Sequence, residues 1–168
     1  MAIVPRFMPA PGNAAVLPNT KMLPAECDVL FLGFQDNPYQ YCHKAQLFLF
    51  PSLFEGMPNA LAEAFICGAI CVSADCKSGP REILSNAKIN AALTYPYFEL
   101  GYLMPVFEKY EPGSPLSESE RIWATVVTNL LRGNCPKMDT EAYHEKVDQF
   151  NKENILKKWE KAIETQPR

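Results

Sequence analysis

The chain has 168 residues, 48% of them apolar and 21% charged, with a net charge of −3. These values fit one globular unit with a single hydrophobic core. They give no basic footprint for a nucleic-acid partner, and no run of about eighteen apolar residues to act as a transmembrane segment. The N-terminal MAIVPRFMPAPG has no basic cluster ahead of a long apolar core, so a cytoplasmic chain without a secretory signal is expected. The six cysteines are then expected to be reduced and buried as small apolar side chains. Cys67, Cys71 and Cys76, with Cys42 beside His43, lack the two close ligand pairs of a zinc site, so no metal is expected.

Residues 1–26 carry five of the fifteen prolines, with Gly12, Asn13 and Asn19, and show no clean period. They read as an extended, proline-rich arm. Residues 29–32 read as a short strand ended by Gly33. Asp36 or Asn37 is expected to cap a helix opened by Pro38 and running to about Lys44. Tyr39, Tyr41 and His43 lie on that helix, and His43 reads as a surface or half-buried histidine. Residues 47–50, Leu-Phe-Leu-Phe, are apolar at every position. A strand with one wet face would alternate, so this one is expected to be buried on both faces, as in a parallel sheet.

Pro51 ends that strand for want of an N–H, and Pro58 suits the first turn of the next helix. Leu61, Ala64, Phe65 and Gly68 follow at helical spacing and should face the sheet. Residues 69–73 read as another buried strand. Pro80 opens a short helix with Glu82 in its first turn, where a carboxylate is favourable. Residues 91–95 are expected to be the last strand, and 97–116 a loop-rich crossing. Ser117 with Glu120 spells a capping box. The stripe Ile122, Trp123, Val126, Val127, Leu130 and Leu131 then runs to Gly133. Two more helices follow, one from about Thr140 with Tyr143, Val147 and Phe150 inward, the other carrying Ile155, Leu156, Trp159 and Ile163. Both tryptophans read as core.

The loop after residues 47–50 opens at the carboxyl end of a parallel strand, where open α/β sheets bind ligands. Glu55 lies in it, and Glu63 lies eight positions on, along the helix. The helix rises roughly 7–8 Å from Pro58 to Glu63, which sets the two acids at different depths beside one crevice. The N–H groups of Asn59, Ala60 and Leu61 in the first turn, with the helix dipole, would favour an anion such as a diphosphate. The loop after residues 69–73 should open at the same edge, bringing Lys77 and Arg81 within reach of that anion or leaving them as surface charges. Taken alone, a pair of glutamates is more simply one solvated loop acid and one acid on a polar helix face.

The neighbours of the two acids change that reading. Pro51, Ser52, Glu55, Gly56, Pro58, Asn59, Glu63 and Ala64 stand in the register P-S-x-x-E-G-x-P-N-x-x-x-E-A. FLGFQDNPY (31–39) lies upstream, ADCKSGPREIL (74–84) downstream, and GYLMP (101–105) matches more weakly. This ordered set resembles the donor-binding lobe of the retaining GT-B glycosyltransferases (glycosyl transferases group 1, or family 4), which include glycogen synthases, sucrose synthases and many bacterial polysaccharide transferases. The likeness runs over roughly residues 27–105, with a fainter echo in the last helix.

The resemblance implies transfer of a sugar from a nucleotide-diphosphate sugar with retention, in polysaccharide, lipopolysaccharide or glycoconjugate synthesis. It implies no cofactor and no metal. By position, Glu55 would be the catalytic residue, touching the donor sugar near its reacting carbon. Glu63 would accept hydrogen bonds from the ribose hydroxyls. Gly56, Met57, Pro58, Asn59 and Ala60 would cradle sugar and phosphates, and Gly33 would lie by the base. Lys77 and Arg81 are the candidates for phosphate contacts. The implied fold is α/β: an incomplete Rossmann-like doubly wound parallel sheet of about four strands against about six in the full form, with a C-terminal helical tail. The arm would be residues 1–26 and the nucleotide-sugar-binding domain 27–168, its C-terminal helices starting at about 117.

Measured against that family, an acceptor-binding lobe and the two opening strand–helix units, with their phosphate-binding Arg and Lys, are expected to be missing. The first missing strand would sit beside residues 47–50, and long apolar edges are rarely left bare. The arm, a second copy of the chain or a separate acceptor lobe is therefore expected to cover that edge. Three functions stay open: a donor half of a transferase, a nucleotide-sugar-binding module without turnover, and an oligomerising remnant with vestigial acids. Lys77, Arg81 or Arg6 could replace the missing cations. No Gly-x-Gly-x-x-Gly, phosphate-binding Gly-Lys-Ser/Thr or Gly-x-Ser-x-Gly occurs, which disfavours dinucleotide oxidoreductases, NTPases and α/β hydrolases.

Overall fold

The chain order of elements is β1 (Ala2–Pro5), α1 (Tyr39–Lys44), β2 (Ala45–Phe50), α2 (Asn59–Ile66), β3 (Ile70–Ala74), α3 (Pro80–Leu84), β4 (Tyr97–Phe98), β5 (Tyr102–Met104), α4 (Glu118–Leu131), α5 (Thr140–Asp148) and α6 (Lys152–Glu164). The structure, a computed structural model, describes residues 2–5, 32–86, 92–108 and 114–164. One open sheet runs β1-β2-β3-β5-β4. Its centre is parallel, with Phe50 opposite Ser73 and Ala74 opposite Met104. Both edges are antiparallel. The α/β class and the helical tail are as expected, but the sheet is mostly rather than wholly parallel.

The continuous apolar run of β2 is explained by helices on both faces. Phe48 and Phe50 join Leu61, Ala64, Phe65, Cys71, Ile83 and Leu103 on one side. Leu47 joins Val72, Ala74, Met104, Trp123, Val126 and Leu130 on the other. Successive residues of a strand point to opposite faces, so a strand covered twice has no polar position to offer. The outer edge of β2 is covered by the chain's own start, with Ala2, Ile3 and Val4 opposite Leu49, Phe48 and Leu47. Of the three covers expected for that edge, the arm provides one. The rest of the arm and residues 29–31 of the first expected strand lie outside the described residues.

Several expectations are corrected. Leu32 is loop rather than strand. Residues 92–95 form no strand; the sheet is continued by β4 and β5, inside the stretch read as a crossing. Gly101 makes that entry possible, since a Cβ there would stand 2.9 Å from Leu84 Cδ2 and 3.0 Å from the Cys71 carbonyl oxygen. Neither Asp36 nor Asn37 caps α1, whose N-cap is Pro38 without a side-chain bond. Gly68, expected on the packed face, lies past the end of α2 at φ 83° and is exposed.

The tail follows its capping box. Ser117 Oγ accepts from the Glu120 amide at 3.3 Å, and the Ser117 amide donates to Glu120 Oε2 at 2.7 Å. Replacing Ser117 by alanine should cost about 1 kcal/mol, lowering the midpoint of a thermal melt by about 2–4 °C for a chain of this size. Trp123 is core, its indole N–H donating to the Pro105 carbonyl at 2.8 Å. Tyr143, Val147 and Phe150 pack inward as expected. Leu131, Ile155, Leu156 and Trp159 are exposed, Trp159 by 65%, so these three residues of α6 and the end of the α4 stripe are not core, while the side chain of Ile163 lies outside those described. No helix among the described residues is long and apolar enough to cross a membrane.

Candidate functional site

Because β2 and β3 are parallel and in register at Phe50 and Ser73, the loops 51–58 and 75–79 leave the sheet together at its carboxyl edge. They are joined there. Ser78 Oγ donates to the Glu55 carbonyl at 2.6 Å. Gly79, at φ 95°, lies so close to Pro58 that a Cβ would stand 2.2 Å from Pro58 Cδ and 2.9 Å from the Gly56 carbonyl oxygen. Within its own loop the half-buried Glu55 is held by Ser52, whose hydroxyl donates to Glu55 Oε1 at 2.7 Å.

Glu63 is half-buried on α2. Burial pushes the Cys42 thiol up, and Cys67 and then Glu63 add to that rise. Burial likewise raises Cys67, with Glu63 contributing. Glu55 acts on a different neighbour: burial and then the Glu55 charge raise Cys76 in the 75–79 loop. Glu55 thus lies in the loop ahead of α2 and Glu63 on the helix itself. Cys71 is fully buried and its thiol is pushed far up, which makes it an inert packing group. Cys135 is exposed, against the expectation that the thiols are buried, and the five described cysteines are unpaired. Among the described residues no group of three or more His, Cys, Asp and Glu is placed to hold a metal.

The first turn of α2 offers fewer donors than expected. The Asn59 amide donates to the Met57 carbonyl and the Leu61 amide to the Pro58 carbonyl, both at 3.0 Å. Pro58, at ψ 83°, enters the helix through a tight turn that uses these groups internally. Of the expected trio, Ala60 alone keeps an amide without a backbone acceptor among the described residues. Gly56, Met57 and Asn59 are exposed, Ala60 is half-buried and Pro58 buried. Gly33 is exposed in the loop ahead of α1, next to Phe34, which is 90% exposed. That loop is braced by Gln35, which donates to the Leu32 carbonyl at 2.7 Å and accepts from Tyr41 at 2.9 Å. His43 is exposed, with Nδ1 3.2 Å from the Cys67 carbonyl oxygen, a surface position as expected.

Lys77 is exposed in the 75–79 loop. Arg81 differs from both readings made of it. Its Nε and Nη2 donate to Asp75 Oδ1 and Oδ2, each at 2.6 Å, and its side chain is 27% exposed against 0% for Asp75. Tyr95 completes the group, its hydroxyl donating to Asp75 Oδ2 at 2.6 Å. Burial, and then the bond to Asp75, raise the Tyr95 pKa, which keeps that donor protonated. Ser52, Asp75 and Ser78 stood in the matched phrases without a role. An acid directly after a buried strand, six residues before an arginine, was the available signal for Asp75. Tyr95, twenty residues away, gave none.

The sequence profile of the group 1 glycosyl transferases matches residues 12–97, which include both acids and both loops. The chain belongs to the group 1 glycosyl transferases. Similar proteins agree with that. An uncharacterized glycosyltransferase of Methanocaldococcus jannaschii is 32% identical over 144 residues, covering 82% of this chain and 36% of the relative. The N-acetylgalactosamine-N,N'-diacetylbacillosaminyl-diphospho-undecaprenol 4-alpha-N-acetylgalactosaminyltransferase of Campylobacter jejuni is 46% identical over 66 residues, 39% of this chain and 18% of the relative. The lipopolysaccharide 1,6-galactosyltransferase of Escherichia coli K12 is 34% identical over 102 residues, 58% of this chain and 28% of the relative. This group 1 glycosyl transferase thus matches about a third or less of the length of each relative.

Proposed function

We propose that the chain is the donor-binding part of a glycosyl transferase and holds a nucleotide-diphosphate sugar at the carboxyl edge of β2 and β3. The observation that carries this is the joined pair of loops, which sets Glu55, the 56–60 turn and Lys77 around one edge. Glu63, on α2, takes the ribose hydroxyls, with Gly33 toward the base. Glu55 meets the donor sugar near its reacting carbon. Gly56, Met57, Pro58, Asn59 and Ala60 face the sugar and diphosphate, Ala60 supplying the available amide. Lys77 is the cation for the diphosphate, since Arg81 is held by Asp75. Transfer with retention is eased by stabilising the departing diphosphate.

The relatives named for lipopolysaccharide and diphospho-undecaprenol saccharides support a glycoconjugate acceptor. That acceptor is bound by a separate lobe or a partner. The unpaired cysteines among the described residues are in keeping with a cytoplasmic setting. The occupied Arg81 favours a second reading, nucleotide-sugar binding without turnover by this chain alone.

Calorimetric titration with UDP-galactose, UDP-N-acetylgalactosamine and GDP-mannose tests the proposal. One of them should give saturable heat. Glu63→Ala should weaken it about 10- to 100-fold, the worth of charge-assisted hydrogen bonds to a hydroxyl pair, about 1.5–3 kcal/mol. Absence of saturable heat with all three, or an unchanged affinity in Glu63→Ala, refutes it. Release of free nucleotide on adding acceptor saccharides separates turnover from binding alone.

A further inference from the structure

We infer that Asp75, Arg81 and Tyr95 form a buried clamp which, through Ser78 and Gly79, fixes the loop that carries Glu55. They are positioning residues for the sugar and diphosphate end of the site, a role that rests on the donor-site reading above. Asp75 follows β3 directly and is still tied to the sheet, its amide donating to the Met104 carbonyl at 2.8 Å. Its side chain is fully shielded, and a shielded carboxylate is tolerated only where its oxygens are met by donors. Three donors meet them: the planar fork of Arg81 and the hydroxyl of Tyr95. A bidentate fork fixes orientation as well as distance.

Arg81 is in the first turn of α3, so the pair ties together the two ends of the 76–80 segment. That segment cannot swing out without stranding a buried charge. Two of its outward contacts go to the loop of Glu55. Ser78 holds the Glu55 carbonyl, and Gly79 abuts Pro58 and Gly56. Residues 51–58 have no helix or strand of their own. Glu55 is therefore fixed from two directions, its carboxylate by Ser52 and its main chain by Ser78. Glu63 is on α2 and takes no part in these contacts. Loosening the clamp should move the sugar and diphosphate end of the site, Lys77 and residues 56–60 included, and spare the nucleoside end at Glu63.

The test compares Ser78→Ala, Ser78→Thr and Tyr95→Phe with the wild-type chain. Uridine and guanosine are titrated beside UDP-galactose and GDP-mannose. Ser78→Ala and Tyr95→Phe should weaken the nucleotide sugar by about three- to tenfold, the worth of one hydrogen bond, and leave the nucleoside within about twofold. Ser78→Thr, which keeps the hydroxyl, should restore the sugar affinity. Equal losses for both ligands, or no loss for either, overturn the clamp. A second measurement needs no ligand: amide hydrogen exchange over residues 53–59 should quicken in Ser78→Ala and recover in Ser78→Thr, and unchanged exchange overturns the clamp. If the wild-type chain binds none of the four compounds, the donor-site reading fails and the exchange pattern alone decides the clamp.

Discussion

Replacing Arg81 by alanine should destabilise the chain by about 3 kcal/mol, the lower end of what breaking a buried ion pair costs. The loss follows from the fate of Asp75. With the guanidinium gone, a side chain that is 0% exposed loses two of its three donors. The cost stays at the lower end because Arg81 itself is 27% exposed and Tyr95 remains. A domain is stable by about 5–15 kcal/mol in total, so urea denaturation should show a much earlier midpoint with an unchanged slope. Removing both charges, as Asp75→Asn with Arg81→Met, should cost less than the two single changes added together, because neither partner is then left buried and unpaired. Additive losses would mean that the pair is not coupled.

Replacing Gly79 by alanine should cost about as much for a different reason. The backbone at φ 95° lies in a region that L-residues rarely adopt, worth about 1–3 kcal/mol of strain. The new Cβ would also stand 2.2 Å from Pro58 Cδ and 2.9 Å from the Gly56 carbonyl oxygen. A proline ring and a main-chain carbonyl cannot turn aside as a long side chain would, so overpacking adds about 1–3 kcal/mol. The expected total is about 3 kcal/mol or more, read by chemical denaturation, and the loop of Glu55 should shift with it. Gly33 is the control. Its φ is 62°, but a Cβ there would meet nothing within 4 Å, so Gly33→Ala should cost only about 1–2 kcal/mol. Equal costs at the two positions would show that backbone strain, and not the contact between the loops, sets the effect.

Much of this architecture could be read from the residues, and the parts that could not share a cause. The run 47–50 and the prolines at 51, 58 and 80 mark strand, loop and helix starts by local chemistry, and those elements are found. Ser117 and Glu120 lie three apart and bond to each other's ends, so the cap was legible too. The covered edge of β2 was legible as a requirement, while the identity of its cover needed coordinates. β5 was missed because three residues between Gly101 and Pro105 carry too little pattern. α6 shows why periodicity overreaches: it tells which face is apolar and not whether anything covers it, and Trp159 is exposed.

At the site, the joining of the two loops followed from parallel strands ending at one edge. The use of the Asn59 and Leu61 amides inside the turn did not, because it depends on the ψ of Pro58. Nor did the capture of Arg81, which is decided by a buried acid and a tyrosine remote in sequence.

A crystal structure of the chain with a nucleotide-diphosphate sugar bound is the most direct measurement of whether this edge is a donor site. It should show the ribose hydroxyls within hydrogen-bond distance of Glu63, the diphosphate over residues 56–60 with Lys77 beside it, and the sugar against Glu55. A nucleotide lodged at another surface, with Glu55 and Glu63 touching none of it, would contradict that assignment.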